Sequence, residues 1–198
     1  HRLDHETMEI DAPLAERIGV HTFKNELQDL SLEILHPEAR NSILTRLEFL
    51  RDSSGNIISS IEKEIKTELK KHNIKADVSG REKTTSSIWY KMQQKDVTFE
   101  QITDIVAFRI IVDEMLECYR ALGVIHSKYH TVSDGFKDYI STPKINGYQS
   151  IHTLIMGPGN RCIEIQIRTK KMHEIAEFGV AAHWAYKQGV TKGTQNAQ

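Results

Sequence analysis

The sequence predicts an α+β (α/β) fold, in which a helical N-terminal arm precedes a mixed β-sheet flanked by helices. Apolar residues recur every four positions from Ile57 to Leu69, which is typical of an amphipathic helix with one buried stripe. The segment "IEIQIR" at 163–168 alternates isoleucine with polar residues, which is the two-residue period of a strand. The segment "ITDIVAFRIIV" at 102–112 is apolar on both faces, which indicates a strand inside the sheet, covered on both sides.

The arm is predicted to occupy residues 1–73 and the sheet domain residues 74–189. Within the arm, helices are predicted at 7–35, 38–50 and 57–69, separated by the His36-Pro37 break and by a Ser-Ser-Gly-Asn turn at 53–56. In the sheet domain, strands are predicted at 74–79, 102–112, 148–156 and 161–168, and helices at 81–95, 114–126 and 170–187. Residues 190–198 are a polar tail that we expect to be disordered.

Composition excludes several classes of protein. The 198 residues carry 26 basic and 27 acidic side chains, and a net charge of −1 argues against an extended nucleic-acid surface, although a local basic pocket stays open. Cys118 and Cys162 are isolated, which predicts a reduced, cytosolic protein without a disulfide framework. There is no run of about 18 apolar residues and no signal-peptide pattern, so neither membrane insertion nor export is expected. The chain begins with His1, which is expected of a fragment.

Polar side chains on one strand raise the question of a site. Glu164, Gln166 and Arg168 project from the same face, while the isoleucines between them enter the core. This face could be the solvated side of an ordinary sheet, or the wall of a site. Asp104 interrupts the most hydrophobic strand, where an ionised carboxylate costs several kcal/mol unless it is paired or binds a metal. It is therefore either a structural aspartate or one of two carboxylates that hold a divalent cation.

Two further segments carry groups suited to nucleotides. "SGREKTTSSIWYKM" at 79–92 places basic residues around a helix start, which opposes the helix dipole but suits a bound polyphosphate. "GFKDYISTPKINGYQSIH" at 135–152 is a Gly- and Pro-punctuated loop that leads into a strand, where Tyr148, Ser150 and His152 would share one face. The Tyr148 ring could stack on a base or merely pack, and the lysines could be solvated.

Taken together, four segments resemble the synthetase domain of the RelA/SpoT homologue family, which makes the bacterial stringent-response alarmones guanosine tetra- and pentaphosphate. They are "REKTTSSIWYKM", "TDIVAFRIIV", "FKDYISTPKINGYQSIHT" and "IEIQIRTKKMHEIAEFGVAAHWAYK", within residues 75–189. The resemblance implies a nucleotidyltransferase-like sheet. Residues 11–35 resemble the helical tail of the family's hydrolase domain, but the metal motif of that hydrolase is absent. Alarmone hydrolysis is therefore not expected.

The resemblance implies a Mg²⁺-dependent transfer of the β,γ-pyrophosphate of ATP to the 3′-OH of GDP or GTP, with AMP leaving. Asp104 and Glu164 match the family's acidic residues, expected to bind Mg²⁺ and, for Glu164, to activate the ribose hydroxyl. The residues that match the ATP side are Arg81 and Arg109, which sandwich the adenine, and Lys83, Ser87 and Lys91 near the phosphates. Those that match the guanine-nucleotide side are Tyr148, which stacks on the base, and Lys137, Lys144, Asn146, His152, Gln166 and Arg168.

The sequence departs from the family before Lys137. Bifunctional members carry Arg-X-Lys-Asp where this chain has Gly135-Phe136-Lys137-Asp138, and Tyr129, Thr131 and Ser133 stand where the family has Trp and two prolines. The loop is expected to be more flexible and to carry one cation fewer near the guanine nucleotide. The choice between GDP and GTP therefore stays open.

Two alternatives from other classes remain. The altered loop favours a catalytically silent, nucleotide- or partner-binding remnant of a split bifunctional enzyme. A nucleotidyltransferase acting on RNA ends would need a basic track and two carboxylates close together on one strand, and the sequence shows neither. One geometric difficulty concerns the leading interpretation. Asp104 and Arg109 are five residues apart, so a regular strand would point them to opposite faces unless a bulge or a strand end lies between them.

Overall fold

The computed structural model describes residues 6–17, 21–54, 57–99, 102, 105–133, 135–158 and 161–179. The arm begins with a π-helical turn, Thr7–Asp11, which runs into helix α1. The arm helices are α1 (Ala12–Arg17), α2 (His21–Leu35), α3 (Pro37–Ser54) and α4 (Ile57–Lys71). None of the helices in these ranges is long and apolar enough to span a membrane.

Two predictions for the arm are confirmed. His36 lies between α2 and α3, and Pro37 opens α3, where its missing N–H costs no helical hydrogen bond. Helix α4 buries Ile61, Ile65 and Leu69, which are at most 3% exposed. Two residues after the end of the helix, Asn73 lies in the left-handed region at φ 56°, a conformation that asparagine tolerates better than most residues.

The sheet has five strands in the order β1-β2-β5-β4-β3. The strands are β1 (Asp77–Glu82), β2 (Val106–Val112), β3 (Lys137–Asp138), β4 (Ile151–Gly157) and β5 (Arg161–Thr169). β2 and β5 are parallel and the other neighbours are antiparallel, which confirms a mixed sheet with β2 inside it. Helix α5 (Thr85–Lys95) follows β1, α6 (Met115–Lys128) follows β2, and residues 170–179 form a helix, α7, after β5.

The two faces of the sheet differ in chemistry. One face packs on α4 and α6 in a core that includes Phe108, Ile165 and Ile167, all fully buried. Burying each such side chain contributes roughly 1.5–3 kcal/mol. The strand register builds the opposite, polar face. A single row crosses all five strands there, formed by Ser79, Arg109, Gln166, His152 and Lys137.

The first strand and the first helix of the sheet domain were predicted too early. The strand expected at 74–79 is β1, at Asp77–Glu82, and the helix expected from residue 81 begins at Thr85. Arg81 therefore lies in a strand rather than at the start of a helix. The reason is Thr84, whose side chain accepts a hydrogen bond from the Ser87 N–H and so fixes the first turn of α5.

Two other strands are also shorter at their starts than predicted. β2 begins at Val106 rather than 102, and β4 begins at Ile151 rather than 148. Tyr148 and Ser150 thus precede β4, because Gly147 turns the chain at φ 77° and the Lys144 N–H bonds the Tyr148 carbonyl. Asp104 lies outside the described residues. The start of β2 at Val106 puts a strand end between Asp104 and Arg109, one of the two solutions that their spacing required.

The segment that departs from the family is tied to β4. The Val132 N–H donates to the Leu154 carbonyl, and the Met156 N–H donates to the His130 carbonyl. Gly135 lies against the same strand, where an added Cβ would come within 2.5 Å of the Leu154 Cβ. A side chain at this position would therefore require the loop or Leu154 to shift.

We expect Gly135→Ala to lower the free energy of unfolding by about 1–3 kcal/mol, because overpacking forces neighbours out of their favoured positions. Chemical denaturation measures this change. Gly123→Ala is the matched control, since nothing lies within 4 Å of a Cβ at that position in α6. It should leave stability unchanged or raise it by up to about 1 kcal/mol, since alanine favours helices over glycine. Equal effects of the two substitutions would contradict the prediction.

Candidate functional site

Glu164 is the centre of a hydrogen-bonded cluster on the polar face of the sheet. Its Oε2 lies 3.1 Å from the Lys83 Nζ, and its Oε1 lies 3.1 Å from the His152 Nδ1. The Gln166 Nε2 donates to the same Oε1 at 3.4 Å. The Glu164 side chain is 14% exposed, so these partners replace most of the water that an ionised carboxylate would otherwise bind.

The charge state of Glu164 follows from these contacts. Burial alone would raise the pKa of its carboxyl, but the His152 hydrogen bond and the Lys83 charge outweigh burial and hold that pKa well below its usual range. Glu164 is therefore an anion at neutral pH. Since the carboxylate can only accept, the His152 Nδ1 carries a proton and donates a hydrogen bond to Oε1.

Tyr148 continues this cluster into the loop before β4. Its hydroxyl lies 2.7 Å from the His152 Nε2, and burial raises the pKa of the phenol. The phenol thus keeps its proton and stays a neutral hydrogen-bond partner of the His152 Nε2. The Lys144 Nζ lies 5.3 Å from the centre of the Tyr148 ring and 4.9 Å from that of Tyr139, within cation–π range.

A second polar cluster joins β2, β5 and α7. The Glu177 Oε1 lies 3.4 Å from a terminal nitrogen of Arg109 and 3.5 Å from one of Arg168. The same Arg168 nitrogen lies 2.8 Å from the His173 Nδ1. Burial lowers the pKa of Arg168 to about 10, and it also lowers that of Arg109. Two guanidinium groups are thus held out of water, next to one carboxylate.

Two backbone N–H groups in the first turn of α5, where a polyphosphate was expected, already have side-chain partners. The Ser87 N–H donates to the Thr84 Oγ1 at 3.3 Å, and the Ser86 N–H donates to the Asp29 Oδ1 at 3.0 Å. Asp29 belongs to α2 of the arm. Its carboxylate occupies the favourable end of the helix dipole, so an anion binding there would have to replace it.

The structure brings together part of the predicted site. Glu164, Lys83, His152, Gln166 and Tyr148 form the first cluster, and Arg109 and Arg168 belong to the second. Arg81 is exposed and lies on the polar face, because it pairs with Ala107, two residues from Arg109. The others are Ser87 and Lys91 on α5, Lys137 and Lys144, both exposed, and Asn146, whose Oδ1 accepts from the Tyr148 N–H.

His173 and Glu177 were not predicted as site residues. They are four residues apart, and therefore one turn apart, on the helix that directly follows the strand ending in Arg168. That spacing, in a helix leaving the polar strand, is the signal that could have identified them.

The donor set for a metal is incomplete in the described part of the chain. Within those residues, no group of three or more His, Cys, Asp or Glu side chains is placed to hold a metal ion. Glu164 offers an ionised, hard oxygen donor, and Mg²⁺ binds proteins through one or two carboxylates when nucleotide phosphates supply further ligands. The chemistry of Glu164 therefore fits Mg²⁺ held jointly with a nucleotide.

Comparison with known proteins agrees with the fold and with the sequence motifs. A GTP pyrophosphokinase from Escherichia coli strain K12 is 45% identical over 188 residues, which are 95% of this chain and 25% of the relative. A GTP pyrophosphokinase from Brucella melitensis biotype 1 is 47% identical over 186 residues, 94% of this chain and 25% of the relative. This chain thus spans about a quarter of the length of these relatives.

Among solved structures, small alarmone synthetase 1 from Bacillus subtilis, bound to its product pppGpp, superimposes with a TM-score of 0.54. The match covers 73% of this chain and 83% of that one at 23% identity, which shows a common fold. The family described as "Region found in RelA / SpoT proteins" matches residues 80–191. Since this match covers more than half of the 198 residues, the chain belongs to the RelA/SpoT family.

Proposed function

We propose that this chain is a pyrophosphokinase that transfers the β,γ-pyrophosphate of ATP to the 3′-OH of GDP or GTP, producing the alarmone and AMP. The observation that carries the proposal is the ionised Glu164, held between Lys83 and His152 on the polar face of the sheet. Relatives at 45–47% identity are GTP pyrophosphokinases, which supports the same chemistry here.

On the ATP side, we assign Arg81 and Arg109 to the adenine and Lys83, Ser87 and Lys91 to the phosphates. Arg81 and Arg109 are diagonal neighbours on the polar face, and planar guanidinium groups stack well on aromatic rings. Lys83 directly follows β1, the strand that carries Arg81, and its ammonium contacts Glu164 at the acidic centre. This position favours contact with the phosphates.

On the acceptor side, we assign Tyr148 to stacking on guanine, with the surrounding residues Lys137, Lys144, Asn146, His152, Gln166 and Arg168 around the nucleotide. The Tyr148 hydroxyl is bonded to His152, which holds the end of the side chain in place. A base stacking on the ring face that Lys144 contacts would displace the ammonium, which could then meet the phosphates of the same nucleotide.

In the proposed reaction, the 3′ oxygen attacks the β-phosphorus of ATP. The bond from that phosphorus to the oxygen that bridges to the α-phosphorus breaks, AMP leaves with this oxygen, and the hydroxyl proton passes to water. Phosphoryl-type transfer depends on positioning and on charge neutralisation. Because its pKa is lowered, Glu164 is a weak proton acceptor. We therefore assign it to orienting the hydroxyl by a hydrogen bond rather than to storing the proton.

Mg²⁺ would be held by Glu164 and by Asp104, the second acidic residue assigned from the family. When bound, the ion would neutralise charge on the transferred phosphates. The Lys83 ammonium and the guanidinium groups supply the remaining positive charge from the protein.

We propose that the chain consists of an arm, a synthetase domain, placed at 74–189 from the sequence, and a tail. The packing of α4 in the same core as the sheet favours counting α4 with the synthetase domain. Hydrolysis of the alarmone is not proposed, because the family's hydrolase motif is absent from the sequence.

The test is to incubate the purified chain with Mg²⁺, γ-labelled ATP and either GDP or GTP. We expect label on the guanine nucleotide and an equal amount of AMP, with Asp104→Asn inactive. The better acceptor answers the question of GDP against GTP. If both nucleotides bind and no label moves, the enzyme proposal fails and the chain is a nucleotide-binding remnant.

A further inference from the structure

Glu177 lies at the junction of two substrate-binding regions. It is on α7, outside the sheet, and the same carboxylate oxygen, Oε1, contacts Arg109 on β2 and Arg168 on β5. The register places these arginines as diagonal neighbours, since Arg109 pairs with Gln166, two residues before Arg168. Under the proposed function, Arg109 faces ATP and Arg168 faces the guanine nucleotide.

The two arginines would repel each other without Glu177. After the larger effect of burial, the charge of Arg109 lowers the pKa of Arg168 and the charge of Arg81 lowers that of Arg109, whereas the charge of Glu177 raises the pKa of both Arg109 and Arg168. The side chain of Arg168 is only 3% exposed, so water cannot screen this repulsion effectively. One carboxylate oxygen therefore contacts both guanidinium groups and offsets part of their repulsion.

His173 supports the same arrangement. Arginine carries only donors, so the His173 Nδ1 must accept the hydrogen bond from Arg168, and the ring proton is on Nε2. Burial and the charges of Arg168 and Arg109 lower the pKa of His173, which keeps the ring neutral. The only anion in this described cluster is thus Glu177.

The arginines also retain unused donors. The Nε atoms of Arg109 and Arg168 are buried and have no hydrogen-bond partner among the described residues. Buried donors without partners are uncommon and call for a ligand or a functional reason. The contacts of 3.4 and 3.5 Å to Glu177 are also longer than a typical charge-assisted hydrogen bond, so both guanidinium groups can shift when a nucleotide binds.

We propose that Glu177 is a positioning residue that couples the ATP site to the guanine-nucleotide site through Arg109 and Arg168. This inference rests on the proposed function of those two arginines. A nucleotide that fixes one guanidinium group also fixes the shared carboxylate, which places the other guanidinium group for the second nucleotide. Glu177 itself contacts neither nucleotide.

The experiment measures the Kd of GDP by calorimetry, with and without a saturating non-hydrolysable ATP analogue, in the presence of Mg²⁺. In the unmodified protein we expect the analogue to tighten GDP binding about fivefold, the lower end of typical coupling. In Glu177→Gln this ratio should fall to about one, because the amide cannot neutralise either arginine. In Glu174→Gln, an exposed position on the same helix, the ratio should stay as in the unmodified protein.

Glu177→Asp keeps the charge on a shorter side chain and should retain an intermediate ratio. Should Glu177→Gln not melt cooperatively, the aspartate variant carries the test, and an unchanged ratio in it overturns the proposal. A purely structural role would lower the melting temperature and weaken both nucleotides with the ratio unchanged.

A readout without nucleotides separates this proposal from the proposed function. We expect the pKa of His173, followed by NMR, to fall in Glu177→Gln, because the Glu177 charge raises it while Arg168 and Arg109 lower it. If the unmodified protein binds no nucleotide, the proposed function fails, whereas a fall in this pKa would still support the arrangement around Glu177. If transfer is normal and Glu177→Gln keeps the full coupling ratio, only the positioning role is overturned.

Discussion

Glu164→Gln should reduce pyrophosphate transfer by about a hundredfold, the loss that misplacing a reacting group by about 1 Å can cause. Glutamine has nearly the same shape, and its oxygen can still accept the His152 hydrogen bond. Its NH₂ group, however, would face the Lys83 ammonium, which now lies 3.1 Å from the Glu164 Oε2. The site would lose the anion that orients the hydroxyl and that would hold Mg²⁺.

The measurement is the rate of label transfer at saturating ATP and acceptor, together with the Kd of each nucleotide. We expect the loss to fall mainly on kcat, because the residues assigned to base stacking are unchanged. Glu48→Gln removes the same charge from an exposed position on α3 and should transfer at the normal rate. If Glu164→Gln keeps more than a tenth of the normal rate, Glu164 has no direct role in the transfer step.

The apolar pattern of the sequence was sufficient to predict the elements that bury one face. Alternation in "IEIQIR" predicted β5 correctly, because Ile163, Ile165 and Ile167 are at most 2% exposed. The recurrence of apolar residues every four positions predicted α4 correctly, because the apolar side chains from Ile61 to Leu69 are also buried. In both segments, a continuous set of apolar side chains enters the core at the spacing of the element, so local sequence and tertiary packing agree.

The ends of the strand β1, near the site, could not be predicted from the apolar pattern. Only Val78 is buried in β1, and Gly80 is there because the Phe108 ring and Ile58 leave no room for a Cβ. That steric reason depends on the neighbouring strand and helix, not on the period of the segment. The sequence pattern therefore gave no signal that carries β1 as far as Arg81.

The polar partners depend on register between distant segments. The parallel pairing of β2 with β5 brings Arg109 beside Gln166, and only the direction of α7 then brings Glu177 to both arginines. The Asp29 contact with α5 likewise joins residues 57 positions apart in the chain. Resemblance to the family supplied Glu164 and Lys83, but the pairing of one with the other is a finding of the structure.

Lys83→Met should move the acidic limb of the pH–rate profile to higher pH. The Lys83 charge and hydrogen bond are among the effects that hold the pKa of Glu164 well below its usual range, and burial would raise it. Without Lys83, the hydrogen bond and charge of His152 are left to counter the effect of burial on the pKa of Glu164. The pKa of Glu164 should therefore rise, and the carboxylate should take up its proton at a higher pH than in the unmodified protein.

The same change has a defined sign for stability. A carboxyl whose pKa is lowered by folding stabilises the fold above its unfolded pKa, which is about 4.3 for glutamate, and this contribution is lost as the pH falls through the folded pKa. In the unmodified protein the loss begins near the unfolded pKa and is complete only well below the usual carboxyl range. In Lys83→Met the contribution is smaller, and its loss is complete at a higher pH.

NMR titration of the Glu164 carboxyl carbon, alongside the pH–rate profile, checks both expectations. Lys83→Arg keeps the positive charge and should leave the pKa of Glu164 low, even if its bulkier group weakens ATP binding. If Lys83→Met is slower while the acidic limb and the titration of Glu164 are unchanged, then Lys83 acts only on the phosphates. The ion pair would then be a resting contact of the empty site. If both move together, Lys83 keeps Glu164 ionised, and the anion at the centre of the site depends on a residue that ATP itself would engage.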